Sequence, residues 1–546
     1  MSRNVSTLSR RLGIKNGLFE SQSLFDDLER TKALAEKSLT GTAVIESSRS
    51  FYDFMEGENA NKRAYVCRGT ACECSGKQDE IHDSLEQLVG AEEVGEAICL
   101  GHCYNGGAYM LDGQTYDEPD IAGVNKDTLN IIPKGTSVNE PVLLIETTDV
   151  QAWYQPLLDA INDNLIDSLL ADMLAANLRG RGGAGFPAGV KWQTCRDQDS
   201  DEKYILCNAD EGDPGAFSDR YLLERHPHSV LFGMMLAGLI TGAKEGVLYM
   251  RAEYPQAVKI CTDAVDELRE LGILGCDLND EGISFDVHIV IGAGAYICGE
   301  ETAMIRSIEG QRPVVSVRPP FPVEEGLFGK PTVVNNVESF ACCHAIIANG
   351  GEAFAKLGTE RSAGIKLLSL DHTFNKPGLY EVPMGIPLRE VIDDLGGGFS
   401  MDVKALQIGG PLGGVVPLSK IDDLRVTFES FTDHGFLLGH CSILGIPEST
   451  SMLAYIEHLF EFTAYESCGK CFPCRLGATR GKEMMSRAVK GEPLNKELLE
   501  DLLETMKLGS LCALGGGVPL PIQNIIQYFP EEVYGAGDGS TGGTQS

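Results

Sequence analysis

Positive charge is scarce in this 546-residue chain: 45 Lys and Arg stand against 79 Asp and Glu, a formal net charge of −34. A nucleic-acid binder needs a basic face for phosphates, so this balance argues against that class. Long apolar runs are missing too. The best candidate, "VLFGMMLAGLITGA", has about 14 residues and reads as a buried core helix rather than a membrane span. No apolar core marks the N-terminus as a secretory signal. The first 19 residues lack acids and carry Arg3, Arg10, Arg11 and Lys15. A basic start to a helical segment accounts for that, with a transit peptide as the alternative. No internal repeat is visible. What is plentiful is glycine (63) and cysteine (17). Clustered cysteines in a large chain without an export signal point to metal or cluster sites in a reducing, cytoplasmic compartment.

The length suits roughly three or four domains. Residues 1–60 read as a polar helical segment, clearest in "SLFDDLERTKALAEKSL". Residues 61–146 read β-α-β-β-α: "RAYVC", "DEIHDSLEQLVG", "EAICL", "GGAYMLDGQTY" and a helix over "PDIAGVNKDTLNII". Residues 147–355 are α/β, with strands at "YILCNAD", "GVLYMRAEY" and "FDVHIVIGAG". Residues 356–440 hold short strands, "IKLLSL", "GLYEVP" and "VKALQIGG", around the helix "PLREVIDDL", a pattern that suits a small β-grasp module. Residues 441–534 return to helices, and the Gly/Ser/Thr-rich tail 535–546 is expected to be disordered.

Two cysteine constellations carry chemistry. Cys468, Cys471 and Cys474 lie at two intervals of three in "ESCGKCFPCRLG", and Cys512 in "GSLCALGGG" is the only cysteine downstream. Sulfur-only ligands select iron–sulfur clusters or zinc. Three close thiolates plus one remote thiolate fit the corners of a [4Fe–4S] cube, whereas structural zinc usually shows two C-x2-C knuckles. The second set is Cys67 and Cys72 in "CRGTAC" with Cys99 and Cys103 in "CLGHC". One pair per iron suits a planar [2Fe–2S] centre. Spacing alone leaves zinc open, and Cys74 is a nearby spare. Others, such as Cys207 and Cys298, are read as core packing in apolar strands.

Three polar, glycine-rich stretches remain. "LRGRGGAGFPAGVKW" (178–192) precedes no obvious helix of the right kind. As a lone loop it is either a turn or a place where backbone N–H groups approach a phosphate or flat ring. Lys191 could neutralise a phosphate there and Phe186 could stack. "CNADEGDPGAFSDR" puts Asn208, Asp210, Glu211 and Asp213 at a strand end, as a site or as a solvated turn. "GAGAYICGEETA" runs strand, glycine turn, helix start, with Glu300 and Glu301 placed either for the helix dipole or for a ligand's hydroxyl and amide groups. "VVNNVES" adds the paired amides Asn335 and Asn336.

In combination and order, "RGRGGAGFPAG", "CNADEGDPG", "GAGAYICGEETA", "KPTVVNNVE", "ESCGKCFPCR" and "SLCALGG" resemble the NADH-binding flavoprotein subunit of respiratory complex I. Its soluble relatives, the diaphorase subunits of NAD-dependent hydrogenases and formate dehydrogenases, share them. Residues 61–146 resemble the thioredoxin-like [2Fe–2S] subunit of the same systems, fused in front. The resemblance implies an α/β multidomain fold with four parts. These are a thioredoxin-like [2Fe–2S] domain, an FMN- and NAD(H)-binding domain, a β-grasp (SLBB-like) domain and a helical bundle with a [4Fe–4S] cluster. It places FMN against Gly180, Arg181, Gly182, Gly183, Lys191, Asn208, Asp210, Glu211, Gly299, Glu300, Asn335 and Asn336. NAD(H) would stack near Phe186, with Lys191, Asp213, Tyr296 and Glu301 in reach. No residue need act as general acid or base. Hydride arrives as two electrons, clusters carry one, and FMN converts between them.

The resemblance also implies a hetero-oligomer whose other substrate is handled by a second subunit. Complex I members usually carry Glu where Asp213 stands, and Ser339 replaces a frequent Thr. "GSLCALGGGVPLPIQNIIQYFPEE" looks most like the β-subunit of molybdenum- or tungsten-containing, NAD-dependent formate dehydrogenase. That catalytic subunit is therefore the expected partner, with an NAD-linked hydrogenase or complex I as alternatives. No membrane insertion is expected. Outside this class, the rival is a zinc-stabilised binding module without turnover.

Overall fold

The computed structural model describes residues 13–17, 28–117, 121–123, 129–278 and 283–535, arranged around three sheets. The first sheet comprises β1 (Ala64–Cys67), β2 (Val94–Ala97), β3 (Tyr109–Leu111) and β4 (Gln114–Tyr116), in the order β2-β1-β3-β4. β1 and β2 are parallel, linked by helices Thr70–Ser75 and Gln78–Val89. Both therefore end on the same side, and Cys67 at the end of β1 faces the turn after Ala97 that carries Cys99 and Cys103. The β3–β4 turn uses Asp112 and Gly113, both at positive φ, the Asp-Gly pairing that a two-residue hairpin with φ > 0 at both positions favours. The expected strand "EAICL" stops at Ala97, and Cys99 already has φ 58°. The helix expected over 119–132 is not borne out where it can be seen. Residues 121–123 form one 3-10 turn, the chain from 129 is irregular, and 118–120 and 124–128 lie outside the described residues.

This chain segment then contributes β5 (Thr136–Ser137) to a sheet far downstream. The second sheet holds β6 (Tyr204–Ala209), β7 (Glu245–Met250), β8 (Gly275–Leu278), β9 (Ile283–Ile291) and β10 (Thr332–Asn336), ordered β10-β6-β7-β9-β8. All pairings are parallel except β8 with β9. Runs such as "YILCNA" are buried almost throughout because helices cover both faces, as parallel sheets require. The helix Pro227–Thr241 has Pro at its first turn and left-handed Gly242 at its end, and every residue from His228 to Thr241 is buried. The "VLFGMMLAGLITGA" run is thus a core helix. Among the described residues, no helix is long and apolar enough to cross a membrane.

The third sheet has β11 (Ile365–Leu370), β12 (Gly378–Pro383), β13 (Val403–Ile408), β14 (Gly414–Pro417) and β15 (Ser442–Pro447), in the order β14-β13-β15-β11-β12-β5. The boundary expected at 440 cuts this sheet. β15 lies beyond it yet pairs with β13 and β11. β5 joins at the other edge because Glu381, buried in β12, accepts from Ser137 Oγ and from the N–H groups of Val142, Leu143 and Leu144 at 2.6–3.1 Å. The expected helix 387–395 is a short turn, Leu388–Glu390, running into a π-helical turn, Val391–Leu395. A fully buried ion pair, Lys366 with Glu338, fastens β11 to the helix Val337–Asn349 that follows β10. The C-terminal part packs helices Met452–Glu466, Phe472–Val489, Lys496–Gly509 and Pro519–Tyr528. Near the N-terminus, helices Leu28–Lys37 and Thr42–Arg49 lead to Tyr52, whose buried hydroxyl meets Ser307 Oγ at 2.6 Å. The tail from 536 lies outside the described residues.

Helix Pro227–Thr241 touches helix Val337–Asn349 at Gly233, where an added Cβ would lie 2.2 Å from the carbonyl oxygen of Phe340. Backbone cannot yield as a flexible side chain can. Gly233→Ala should therefore destabilise by about 1–3 kcal/mol, the usual range for overpacking. A clear fall in Tm checks this, and an unchanged Tm would show that the two helices are free to separate.

Candidate functional site

The carboxyl ends of β6 and β10 and the turn after β9 open on one cleft of about 430 Å³, the kind of crevice in which open α/β sheets bind ligands. The glycine loop forms one wall through Gly182, Gly183 and Ala184. The loop, read as preceding no obvious helix of the right kind, runs directly into helix Ala188–Arg196, which begins after Pro187. A Cβ on Gly182 would stand 2.9 Å from Asn336 Cβ, so a side chain there would close the cleft against β10.

A second wall is the segment after β6. Asn208 donates to Gly299 O at 2.7 Å and binds the Asp210 N–H through its carbonyl. Asp210 Oδ2 has no hydrogen-bond partner, and burial pushes this carboxyl well above its usual range, with Arg251 opposing. It fits a ligand that brings donors. Asp213 accepts from the Tyr296 hydroxyl at 2.7 Å, and burial raises it as well. Glu300 sits at the start of helix Glu301–Ile308 and accepts from Thr302 N and Ala303 N, so helix capping takes one of its oxygens. Its other oxygen is 3.7 Å from Arg318, which also binds Glu301.

The floor was not legible in the sequence. Asp219, His440 and the backbone of Gly409 and Gly439 line it. His440 lies 3.6 Å from Glu211 and 3.3 Å from Asp219. Burial alone would lower its pKa, but the two carboxylates override this and hold it up to about 9. Asn336 caps helix Val337–Asn349 with its oxygen and gives its amide to both Asp219 oxygens, at 2.9 and 2.8 Å. Glu211 accepts from Asp219 N, Arg220 N, Ser218 Oγ and Tyr254 OH.

Of the residues expected at the cofactor, the structure gathers Gly182, Gly183, Asn208, Asp210, Glu211, Asp213, Tyr296, Gly299, Glu300 and Asn336 on this cleft. Two side chains are turned elsewhere. Asn335 precedes Asn336 on β10, so strand alternation points it inward, where it accepts from Trp192 Nε1 at 3.1 Å. Arg181 is fully buried and donates to Ala363 O at 2.6 Å. Gly180, Lys191, Phe186 and Glu301 are also off the lining. Gly180 N closes the loop on Phe186 O, and Lys191 Nζ binds Val334 O at 2.7 Å. Burial lowers the Lys191 pKa, while Glu301 acts on it in the opposite sense. Phe186 is half exposed, as is Phe321 after Arg318.

Cys512 also lines the cleft. It starts the short helix Ala513–Gly517 and takes N–H groups from Leu514 and Gly515. Cys471 starts helix Phe472–Val489, and Cys468, Cys471 and Cys512 all act on the charge of Cys474. Gly515 has to be glycine: an added Cβ would lie 2.5 Å from Cys474 Cβ and 3.0 Å from its sulfur. Lys470 and Arg475, which adjoin these cysteines in the sequence, are exposed, and Arg475 stacks over the ring of Phe472 at 5.1 Å.

The other quartet is equally convergent. Cys99 and Cys103 sulfurs are 3.6 Å apart, and Cys67 and Cys72 share a hydrogen bond. That bond, against the opposing effect of burial, lowers the Cys67 thiol to about 7; N–H groups of Gly69, Leu100 and Cys99 assist. Gly215, in the segment that walls the cleft, donates its N–H to Cys103 Sγ at 3.3 Å. A quartet of free thiols met by backbone N–H groups fits a sulfur-held iron centre. Cys74 stands apart on the helix, in contact with the main core, and burial raises it to about 12. Cys207 is a buried strand residue as expected, whereas Cys298 lies in the 3-10 turn Tyr296–Gly299.

Comparison with known proteins follows the same outline. The family described as the Nuo51 FMN-binding domain matches residues 173–345, and the NADH-ubiquinone oxidoreductase-F iron-sulfur binding region matches 454–535. The chain is 39% identical over 533 residues to the NAD-reducing hydrogenase HoxS subunit alpha of Cupriavidus necator, covering 89% of this chain and 85% of that one. It is 45% identical over 361 residues to the NADP-reducing hydrogenase subunit HndC of Solidesulfovibrio fructosivorans, covering 65% and 73%. With the mitochondrial NADH dehydrogenase (ubiquinone) flavoprotein 1 of Dictyostelium discoideum it shares 38% over 388 residues, covering 70% and 81%. A chain in the crystal structure of an NAD+-reducing [NiFe]-hydrogenase in the H2-reduced state superposes with a TM-score of 0.83 at 29% identity, covering 95% of this chain and 92% of that one. The chain belongs to the complex I 51 kDa (NuoF-like) family of NADH- and FMN-binding electron-transfer subunits with a 4Fe–4S region.

Proposed function

We propose that the cleft holds FMN and receives NAD(H), and that the chain passes electrons between the nucleotide and a [4Fe–4S] cluster on Cys468, Cys471, Cys474 and Cys512. A [2Fe–2S] centre on Cys67, Cys72, Cys99 and Cys103 completes the set. The observation that carries this reading is Cys512, which belongs both to the cysteine quartet and to the wall of the cleft. When bound, FMN and the clusters supply the exchange between two-electron hydride chemistry and one-electron transfer.

The residues bind and orient. Gly182 and Gly183 allow close approach of backbone to a planar or phosphate-bearing ligand. Asp210 offers an unpartnered oxygen to a donor. The Asp219–Asn336 contact fixes the mouth of β10 against helix Ser218–Arg225. His440 is held as a cation between Glu211 and Asp219, so no proton needs to leave it near neutral pH. Arg318 with Glu300 and Glu301 forms a charged edge suited to the hydroxyl and phosphate groups of a dinucleotide.

The partner is the finer part of the proposal. The "GSLCALGGGVPLPIQNIIQYFPEE" stretch favours a formate dehydrogenase catalytic subunit, which would hold the molybdenum or tungsten. The likeness to HoxS subunit alpha, over 89% of this chain, and to a chain of the NAD+-reducing [NiFe]-hydrogenase structure, over 95%, supports a hydrogenase. Both readings make this chain the NAD-side half of a hetero-oligomer.

Four outcomes are expected. Cys512→Ala should remove the EPR signal of the four-iron cluster while FMN stays bound, and an unchanged reduced spectrum and iron content would refute the ligand set. NADH should bleach the flavin of the purified chain. Glu301→Gln should weaken nucleotide binding several-fold with little loss of FMN, and flavin that stays oxidised under NADH counts against the whole reading. Finally, the native complex should reduce NAD+ with either formate or hydrogen. Activity with hydrogen alone selects the hydrogenase partner, and with formate alone the dehydrogenase.

A further inference from the structure

Arg251 follows β7 in the second sheet, yet its guanidinium reaches the cysteine loop of the first. It is almost fully buried. Nη2 donates to Ile98 O at 3.0 Å, next to Cys99, and to Glu253 Oε1 at 2.7 Å. Nη1 donates to Glu211 O in the wall of the cleft, and the group lies 5.0 Å over the ring of Tyr254. Neither Arg251 Nε nor Glu253 Oε2 has a partner. The Cys99 charge acts on Arg251 directly. A second buried arginine, Arg220, donates to Gly101 O in the same loop and is likewise paired, with Glu224 at 2.7 Å.

We infer that Arg251 and Glu253 together set the reduction potential of the N-terminal iron–sulfur centre, with Arg251 raising it and Glu253 lowering it. This rests on reading Cys67, Cys72, Cys99 and Cys103 as the ligands of a [2Fe–2S] cluster. Reduction adds one electron and hence one negative charge to such a centre. A fixed cation in a low-dielectric interior stabilises that charge, and a fixed anion opposes it. Backbone N–H donation to sulfur, here from Gly215, acts in the same direction as the cation. The flavin-side sheet thus places a buried cation and a buried anion beside the cysteine loop, and the two act on the added electron in opposite directions. Other charges bear on Arg251 from Asp210, Asp213 and Glu466, and they are common to all the variants below.

The test is potentiometric EPR on the full chain. Arg251→Gln leaves Glu253 buried without its counter-charge and should lower the midpoint of the [2Fe–2S] signal. Glu253→Gln frees Arg251 and should raise it. The double variant should return close to the parent value, and Arg251→Lys should lie nearer the parent than Arg251→Gln. The four-iron signal serves as internal reference and should move less. Opposite shifts from the two single variants are expected of charge and not of simple loosening. Shifts of the same sign, or none, overturn the inference while the cluster reading stands. If Arg251→Gln fails to fold, the rise in Glu253→Gln decides alone. A parent protein with no [2Fe–2S] signal and only zinc at these cysteines overturns the cluster reading and the inference with it.

Discussion

One buried carboxylate, Glu211, holds the centre of this molecule in shape. Its two oxygens collect the N–H groups of Asp219 and Arg220, the hydroxyls of Ser218 and Tyr254, and the nearby charge of His440. Those contacts fold the chain after β6 back on itself, so that the start of helix Ser218–Arg225 meets the strand end it came from. A buried carboxylate this well served is costly to strip and cheap to keep, because each lost partner would leave an unsatisfied group in a dry interior. Burial and Asp219 push the Glu211 carboxyl up, and His440 pulls it back. The cleft wall, the floor under it and the Gly215 contact to Cys103 all hang on this single turn.

The geometry then places two sulfur quartets on different sides of one segment. Cys512 stands in the cleft itself, while Cys103 sits behind the wall, touched by Gly215. Tyr296 belongs to the same arrangement: its hydroxyl meets Asp213, and its ring packs edge-on at 5.1 Å against Phe462 of the helix that leads to Cys468. Sheet, cleft and helical bundle thereby share side chains rather than merely abutting.

Much of this is readable from residue order alone. Cysteine spacing is local and chemically narrow, so Cys468, Cys471 and Cys474 group at once, whereas Cys512 enters only as the cysteine left downstream and the N-terminal set keeps Cys74 as a spare. The carboxylates after β6 stand out because four polar groups at the end of an apolar strand have few structural uses. His440 and Asp219 give no such signal. They are 221 positions apart, and a single histidine in a glycine-flanked turn has nothing local to mark it. Asn335 and Asn336 look equivalent as letters, yet a strand sends them to opposite faces. The domain boundary at 440 fails for a related reason. "SILGIP" is a strand only because β11 and β13 leave a slot between them, and strand pairing of that kind is invisible to periodicity.

β5 is only two residues long, yet it and the Glu381 clamp make the connection out of the N-terminal sheet part of the third sheet. The link is therefore not a tether. Cutting the gene at this point would not separate two independent pieces. The downstream piece would lose the strand covering β12 and expose a row of unpaired backbone groups, the kind of bare sheet edge that recruits other chains. A fused and a split form of this architecture must solve different problems at the same place, and any split form needs a new cap for that edge.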